Sequence, residues 1–207
     1  MPDTNGFGGY PIPLMAENAN ASVAFADFRA ALAPHTVLFA TSEANRNSLY
    51  GSGATTSETV PNGTLVSSSA GKTVWQKSPT GWNTVYSDTG WVSLSGASWL
   101  SDFEDAGSYY RIINSCVFLE FRATYTGADD TANSTGNINN HTMCGLPSAI
   151  RPVRSASNIQ VLLALFANYS GTATIFQSTG NITLATASPG LTISSGMAVY
   201  GNVTYFV

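Results

Sequence analysis

Residues 109–125 read YYRIINSCVFLEFRATY, and the fold class follows from how this stretch is read. Two runs rich in β-branched and aromatic residues flank Asn114-Ser115-Cys116, which is a hairpin signal. Side chains alternate between the faces of a strand. Val117, Leu119, Phe121 and Ala123 therefore share one side, and Phe118, Glu120 and Arg122 the other. The first set is the expected core face. A period of two argues for strands rather than helix.

Downstream, the polar stretch 127–142, GADDTANSTGNINNHT, is expected to be a loop. Further strands are expected near 158–168, 171–177, 180–186, 190–194 and 197–206, parted by turn residues. Short strands at this spacing imply a C-terminal antiparallel β-sandwich, jelly-roll-like, over 101–207. A unit of about 110 residues can bury a respectable core.

Upstream, residues 72–94 read KTVWQKSPTGWNTVYSDTGWVSL, with Thr-Gly-Trp twice. Short strands are expected at 63–67, 72–76, 82–86 and 90–94, a meander too small to be stable alone. Trp75, Trp82 and Trp91 suit the core of such a sheet or a subunit interface, because each covers a large apolar area. A sugar-stacking platform is the alternative. Residues 36–40 read as a strand, and Ser42 can cap a short helix running to Tyr50. Together, 39–100 form the expected meander unit with its short helix.

Residues 1–38 form an expected N-terminal arm and helix. Phe7 and Tyr10 are two aromatic anchors among glycines and prolines. Ala21, Ala24, Phe25, Phe28 and Leu32 follow helical spacing along a narrow stripe, compatible with self-association, and Pro34 stops the pattern. Attachment and assembly are thus assigned to Phe7, Tyr10, Phe25 and Phe28.

The 207-residue chain has 10% charged residues, against about 25% in an ordinary soluble domain. Its net charge is −4, with two lysines and no basic run, which disfavours nucleic acid and anionic lipid as partners. The most apolar run, 161–167, is too short for a membrane span, so no membrane insertion is expected. The N-terminus shows no secretory signal pattern. Seven Asn-x-Ser/Thr triplets are expected by chance in so Asn-, Ser- and Thr-rich a sequence.

Cys116 and Cys144 do not make a disulfide framework, and Cys116 is expected as a buried free thiol. With His141 they fall short of a structural zinc site, so no metal and no cofactor is expected. Neither His35 nor His141 lies in a nucleophile-elbow context. Glu104-Asp105 and Asp129-Asp130 read as solvated loop acids rather than a catalytic pair. An enzyme is not expected.

Three blocks of the chain resemble small minor tail and receptor-binding proteins of tailed phages, especially those of actinobacterial hosts. Residues 39–50, FATSEANRNSLY, resemble a helix start of that family. Residues 60–66, 74–76, 81–85 and 90–92 resemble its small tryptophan-bearing meander. Residues 110–119, then LPSAIRP at 146–152, then 173–175 and 180–184, resemble its tail-fibre head domain. The chain departs from the pattern at Asn114-Ser115, where glycine is usual, and at Glu120, where arginine is usual. The resemblance implies a homotrimeric virion protein of the tail tip or baseplate, assembled in the host cytoplasm. Its N-terminus would attach to other tail or baseplate proteins, and its β-domain would face outward to a host-surface glycan. Tyr125, His141 and Tyr169 are then the candidate contacts, as exposed loop residues. The alternative is a purely structural baseplate part, capsid decoration or head fibre that binds no receptor.

Overall fold

A computed structural model describes residues 37–52, 60–153, 158–166 and 168–207. The chain is mainly β and divides into two compact units, between Asp88 and Thr89. The helical stripe from Ala21 to Leu32, and Phe7, Tyr10, Phe25 and Phe28, lie outside the described residues.

In the first unit, β1 (Val37–Ala40) leads into α1 (Glu43–Tyr50), followed by β2 (Leu65–Ser68), β3 (Thr73–Ser78) and β4 (Gly81–Ser87). Ser42 caps α1 as expected: its Oγ accepts from the Asn45 backbone N–H at 3.1 Å. The sheet order is β1-β2-β3-β4. β2, β3 and β4 form the expected antiparallel meander, whereas β1 pairs with β2 in parallel. A parallel neighbour needs a long crossover, and the segment containing α1 supplies it. Ala40, Val66 and Trp75 form the buried core, with Leu38, Tyr50 and Trp82 packed against them.

The expected fourth meander strand belongs elsewhere. β5 (Val92–Ser93) is antiparallel to Tyr109 and Tyr110 in the second unit, and the Thr89 N–H donates to the Ile112 carbonyl at 3.0 Å. The boundary therefore falls before residue 89 rather than at 100. The chain passes between units at Asp88 and Thr89.

The second unit continues with β6 (Ser98–Trp99), β7 (Phe103–Asp105), β8 (Tyr109–Ile113) and β9 (Cys116–Tyr125). Then come β10 (Asp130–Thr131), β11 (Asn137–Gly145), β12 (Ile159–Leu165) and β13 (Tyr169–Ile175). The last three are β14 (Asn181–Ala187), β15 (Thr192–Ile193) and β16 (Ala198–Phe206). Ten of these strands make one sheet, ordered β5-β8-β9-β16-β12-β13-β14-β11-β6, with β7 also paired to β9. β10 and β15 pair separately. Since β6 and β7 lie on opposite sides of this order and only residues 100–102 part them, the sheet curls on itself.

β8 and β9 form the expected hairpin through Asn114 and Ser115, at φ 47° and 65°. Val117, Leu119, Phe121 and Ala123 are buried, as alternation requires. They meet Val199, Leu163, Ile175 and Leu184 in one core inside the curl. The expected loop at 127–142 is corrected in part, because most of its second half lies in β11. Ile138, Met143 and Cys144 of that strand are buried. Its pairing with β14 slips twice, so the Asn-, His- and Thr-rich sequence never alternates cleanly. Cys116, expected buried, is partly exposed, while the thiol of Cys144 is pushed up to about 12 by burial, with Asp105 adding to it.

Candidate recognition surface

Tyr125 is not on the surface. It is 1% exposed, its hydroxyl donates to the Ala128 carbonyl at 2.5 Å, and its ring packs edge-on against Phe103. The parity of β9 explains this: Tyr125 shares the side of Val117 and Ala123. Burial, then the nearby charges of Asp102, Asp130 and Asp129, raise its pKa.

His141 also turns inward, edge-on to Tyr125, with 15% of its side chain exposed. Its Nε2 lies 2.8 Å from Asp130 Oδ2 and its Nδ1 3.4 Å from Asp102 Oδ2. With both ring nitrogens facing carboxylates, the imidazole is placed to fasten three segments together. Asp130, expected as a solvated loop acid, is a partner in this cluster. Burial works against its charge, but hydrogen bonds from His141 and Asn139 outweigh that and hold its pKa below the ordinary value. Among the described residues no group of three acidic, histidine or cysteine side chains is arranged to hold a metal.

Tyr169, by contrast, is 48% exposed at the start of β13. Structure brings none of the three sequence candidates into one external site: two sit together beneath the surface and the third stands apart at a strand end.

The tryptophans separate into two roles. Trp75 is buried and Trp82 partly so, and the guanidinium of Arg46 lies over both rings, 4.8 and 5.1 Å from their centroids. These two are packing residues around a buried cation. Trp91 is exposed beside β5 and by alternation shares the side of Ser93, which pairs with Tyr109.

That side is the outer face of the curled sheet. Tyr109 lies opposite Glu120, and Tyr200 opposite both Arg122 and Ala164. Phe118 lies opposite Thr204 on β16, and Phe206 opposite Cys116. Leu162 projects from the middle of β12 with 81% of its surface exposed. Glu120 and Arg122 pair at 3.4 Å on this face. Sequence reasoning attached no role to Leu162 or Tyr200, although the run at 161–167 carried a signal: it is apolar at consecutive positions, not alternate ones.

No family model, curated protein or solved structure matches the chain.

Proposed function

We propose that the chain is a virion structural protein of a tailed phage, acting at the tail tip or baseplate as a trimeric fibre or receptor-binding module. In this reading the N-terminal residues attach to neighbouring tail proteins. The C-terminal unit, sandwich-like in the manner of a jelly roll, recognises a host-surface glycan or glycopolymer. Assembly takes place in the host cytoplasm.

The observation that carries the proposal is the outer sheet face, where exposed aromatics alternate with hydroxyl and amide groups. Trp91 and Tyr109 are 56% and 44% exposed, and Tyr109 pairs with Ser93. Aromatic ring faces pack on the C–H faces of sugars, while Ser, Thr and Asn exchange hydrogen bonds with their hydroxyls. With Tyr125 and His141 enclosed, sugar contact is assigned to Trp91 and Tyr109, and Tyr169, away from them at the start of β13, to a separate contact. The net charge of −4 per chain favours neutral polymers over anionic ones.

The test is binding of purified protein to immobilised cell-envelope polysaccharides from candidate hosts. Binding that falls at least about tenfold in Trp91→Ala supports the reading, since tenfold corresponds to about 1.4 kcal/mol. A second reading is a purely structural virion protein, favoured by Leu162, an aliphatic side chain suited to protein rather than sugar. Binding to no host polysaccharide, together with incorporation into virions, would select it.

A further inference from the structure

We infer that the outer face around Leu162 of β12 and Tyr200 of β16 is the surface through which copies of this chain associate. The inference deepens the proposed assembly by naming its surface, and it rests on the oligomeric part of that reading alone.

The first argument is the two-sided character of β12. Val161, Leu163 and Leu165 are buried in the core, yet the opposite side carries Leu162 and Ala164, with Gln160 before them bonded to Thr174. Strands apolar on both sides are those buried on both sides. A leucine 81% exposed in mid-strand is the residue that such burial would cover.

The second argument is area. Exposures of 81%, 62%, 46% and 38% at Leu162, Phe206, Tyr200 and Phe118 leave roughly 500 Å² of side chain uncovered, near the upper end for a monomer. With the polar side chains between them, the face approaches the roughly 800 Å² per partner of a standard interface.

Charge then selects the partner. β16 and β12 present no charged side chain on this face, which excludes an ionic partner over its centre. At its border, Arg111 of β8 lies opposite Phe118, and on β9 Glu120 and Arg122 are 39% and 49% exposed and carry opposite signs. A second copy presents the same two groups and can exchange them, Glu to Arg and Arg to Glu. An anionic lipid surface is drawn by clustered basic side chains, and the Glu120–Arg122 pair offers it no net charge.

The test is the mass of the full-length protein by light scattering across concentration, with Leu162→Glu compared with wild type. The expected result is a wild-type mass that is a multiple of 21.7 kDa at about 10 μM, and a single-chain mass for the variant. Far-ultraviolet circular dichroism should be unchanged, because Leu162 makes little of the core, while the melting temperature should fall to that of dissociated wild type. Should Leu162→Glu misfold, Tyr200→Ser reads the same surface more mildly, and Leu49→Glu, in the first unit, is the control that keeps the assembled mass. A wild-type monomer up to about 100 μM, or an assembled mass retained by folded Leu162→Glu, overturns the inference. Glycan binding by Trp91-intact monomers would leave the receptor reading standing while this one fell.

Discussion

The Nε2 of His141 stands 2.8 Å from the Oδ2 of Asp130, joining β11 to β10. The other ring nitrogen faces Asp102, in the turn between β6 and β7 through which the curled sheet meets itself. The Thr126 N–H donates to the Asp102 carbonyl at 2.8 Å, so that turn is also held from the end of β9. One imidazole thus fastens the seam of the second unit.

Acid should loosen this seam. The Asp130 carboxyl titrates below its ordinary 3.8, since hydrogen bonds from His141 and Asn139 outweigh the opposing effect of burial. Its folded value is the lower one. The stabilisation is therefore complete above the unfolded value and is lost as pH falls through the folded value. Asp130→Asn should cost up to about 1.5–3 kcal/mol at neutral pH, the range for charge-assisted hydrogen bonds. It should also flatten the fall in stability below about pH 4. Urea unfolding of both proteins at several pH values measures this, and parallel curves would refute it.

Arg46 should hold the first unit together through its aromatic neighbours more than through its ion pair. It is 3% exposed over Trp75 and Trp82, whereas its partner Glu43 is 71% exposed at 3.0 Å. A desolvated cation over aromatic rings is worth about 2 kcal/mol, an exposed ion pair well under 1. Arg46→Ala should therefore lower protection of the β2–β4 amides by at least tenfold in hydrogen exchange, the equivalent of about 1.4 kcal/mol, and Glu43→Gln by little. Similar losses from both variants would contradict the assignment.

What was legible in the sequence, and what was not, follows from the range over which each feature is determined. Ser42 and α1 are local, and so is the alternation of Val117 to Ala123; both stand where the residues placed them. Tyr125 was legible too, because the same parity that buries Phe121 buries it, and its place at the strand end disguised that. The His141 cluster was not: Asp102 is 39 residues away and no local pattern couples them. The strand expected at 90–94 was placed in the meander, although Trp82 and Trp91 belong to different units. Sequence similarity between short turns carries no information about which sheet edge receives the next strand.

The β8–β9 hairpin should gain from the residue whose place Asn114-Ser115 takes. Both positions have positive φ, and the pairs Ile113–Cys116 and Ile112–Val117 close a two-residue turn. Asn tolerates the left-handed region, whereas Ser at φ 65° has no such advantage. Ser115→Gly removes that strain but frees the unfolded chain, so the net gain should be a few tenths to about 1 kcal/mol. Thermal unfolding reads it as a small rise in melting temperature; a fall would mean that the Ser115 side chain contributes more than its backbone costs.

Gly171, in β13, should tolerate no larger residue. A Cβ there would collide with the Thr186 carbonyl oxygen and stand 2.9 Å from Leu165 Cδ1. The oxygen belongs to the paired strand β14, just beside the register shift between Thr172 and Ala173, so it can retreat only by breaking the ladder. Overpacking of this kind costs about 1–3 kcal/mol, and a blocked backbone oxygen puts Gly171→Ala at the upper end of that range. Gly190 is the comparison, since nothing lies within 4 Å of its Cβ position and its φ of 76° supplies only backbone strain. Urea unfolding should therefore rank Gly171→Ala well below Gly190→Ala in stability. Equal losses would show that β13 and β14 separate there more readily than their pairing implies.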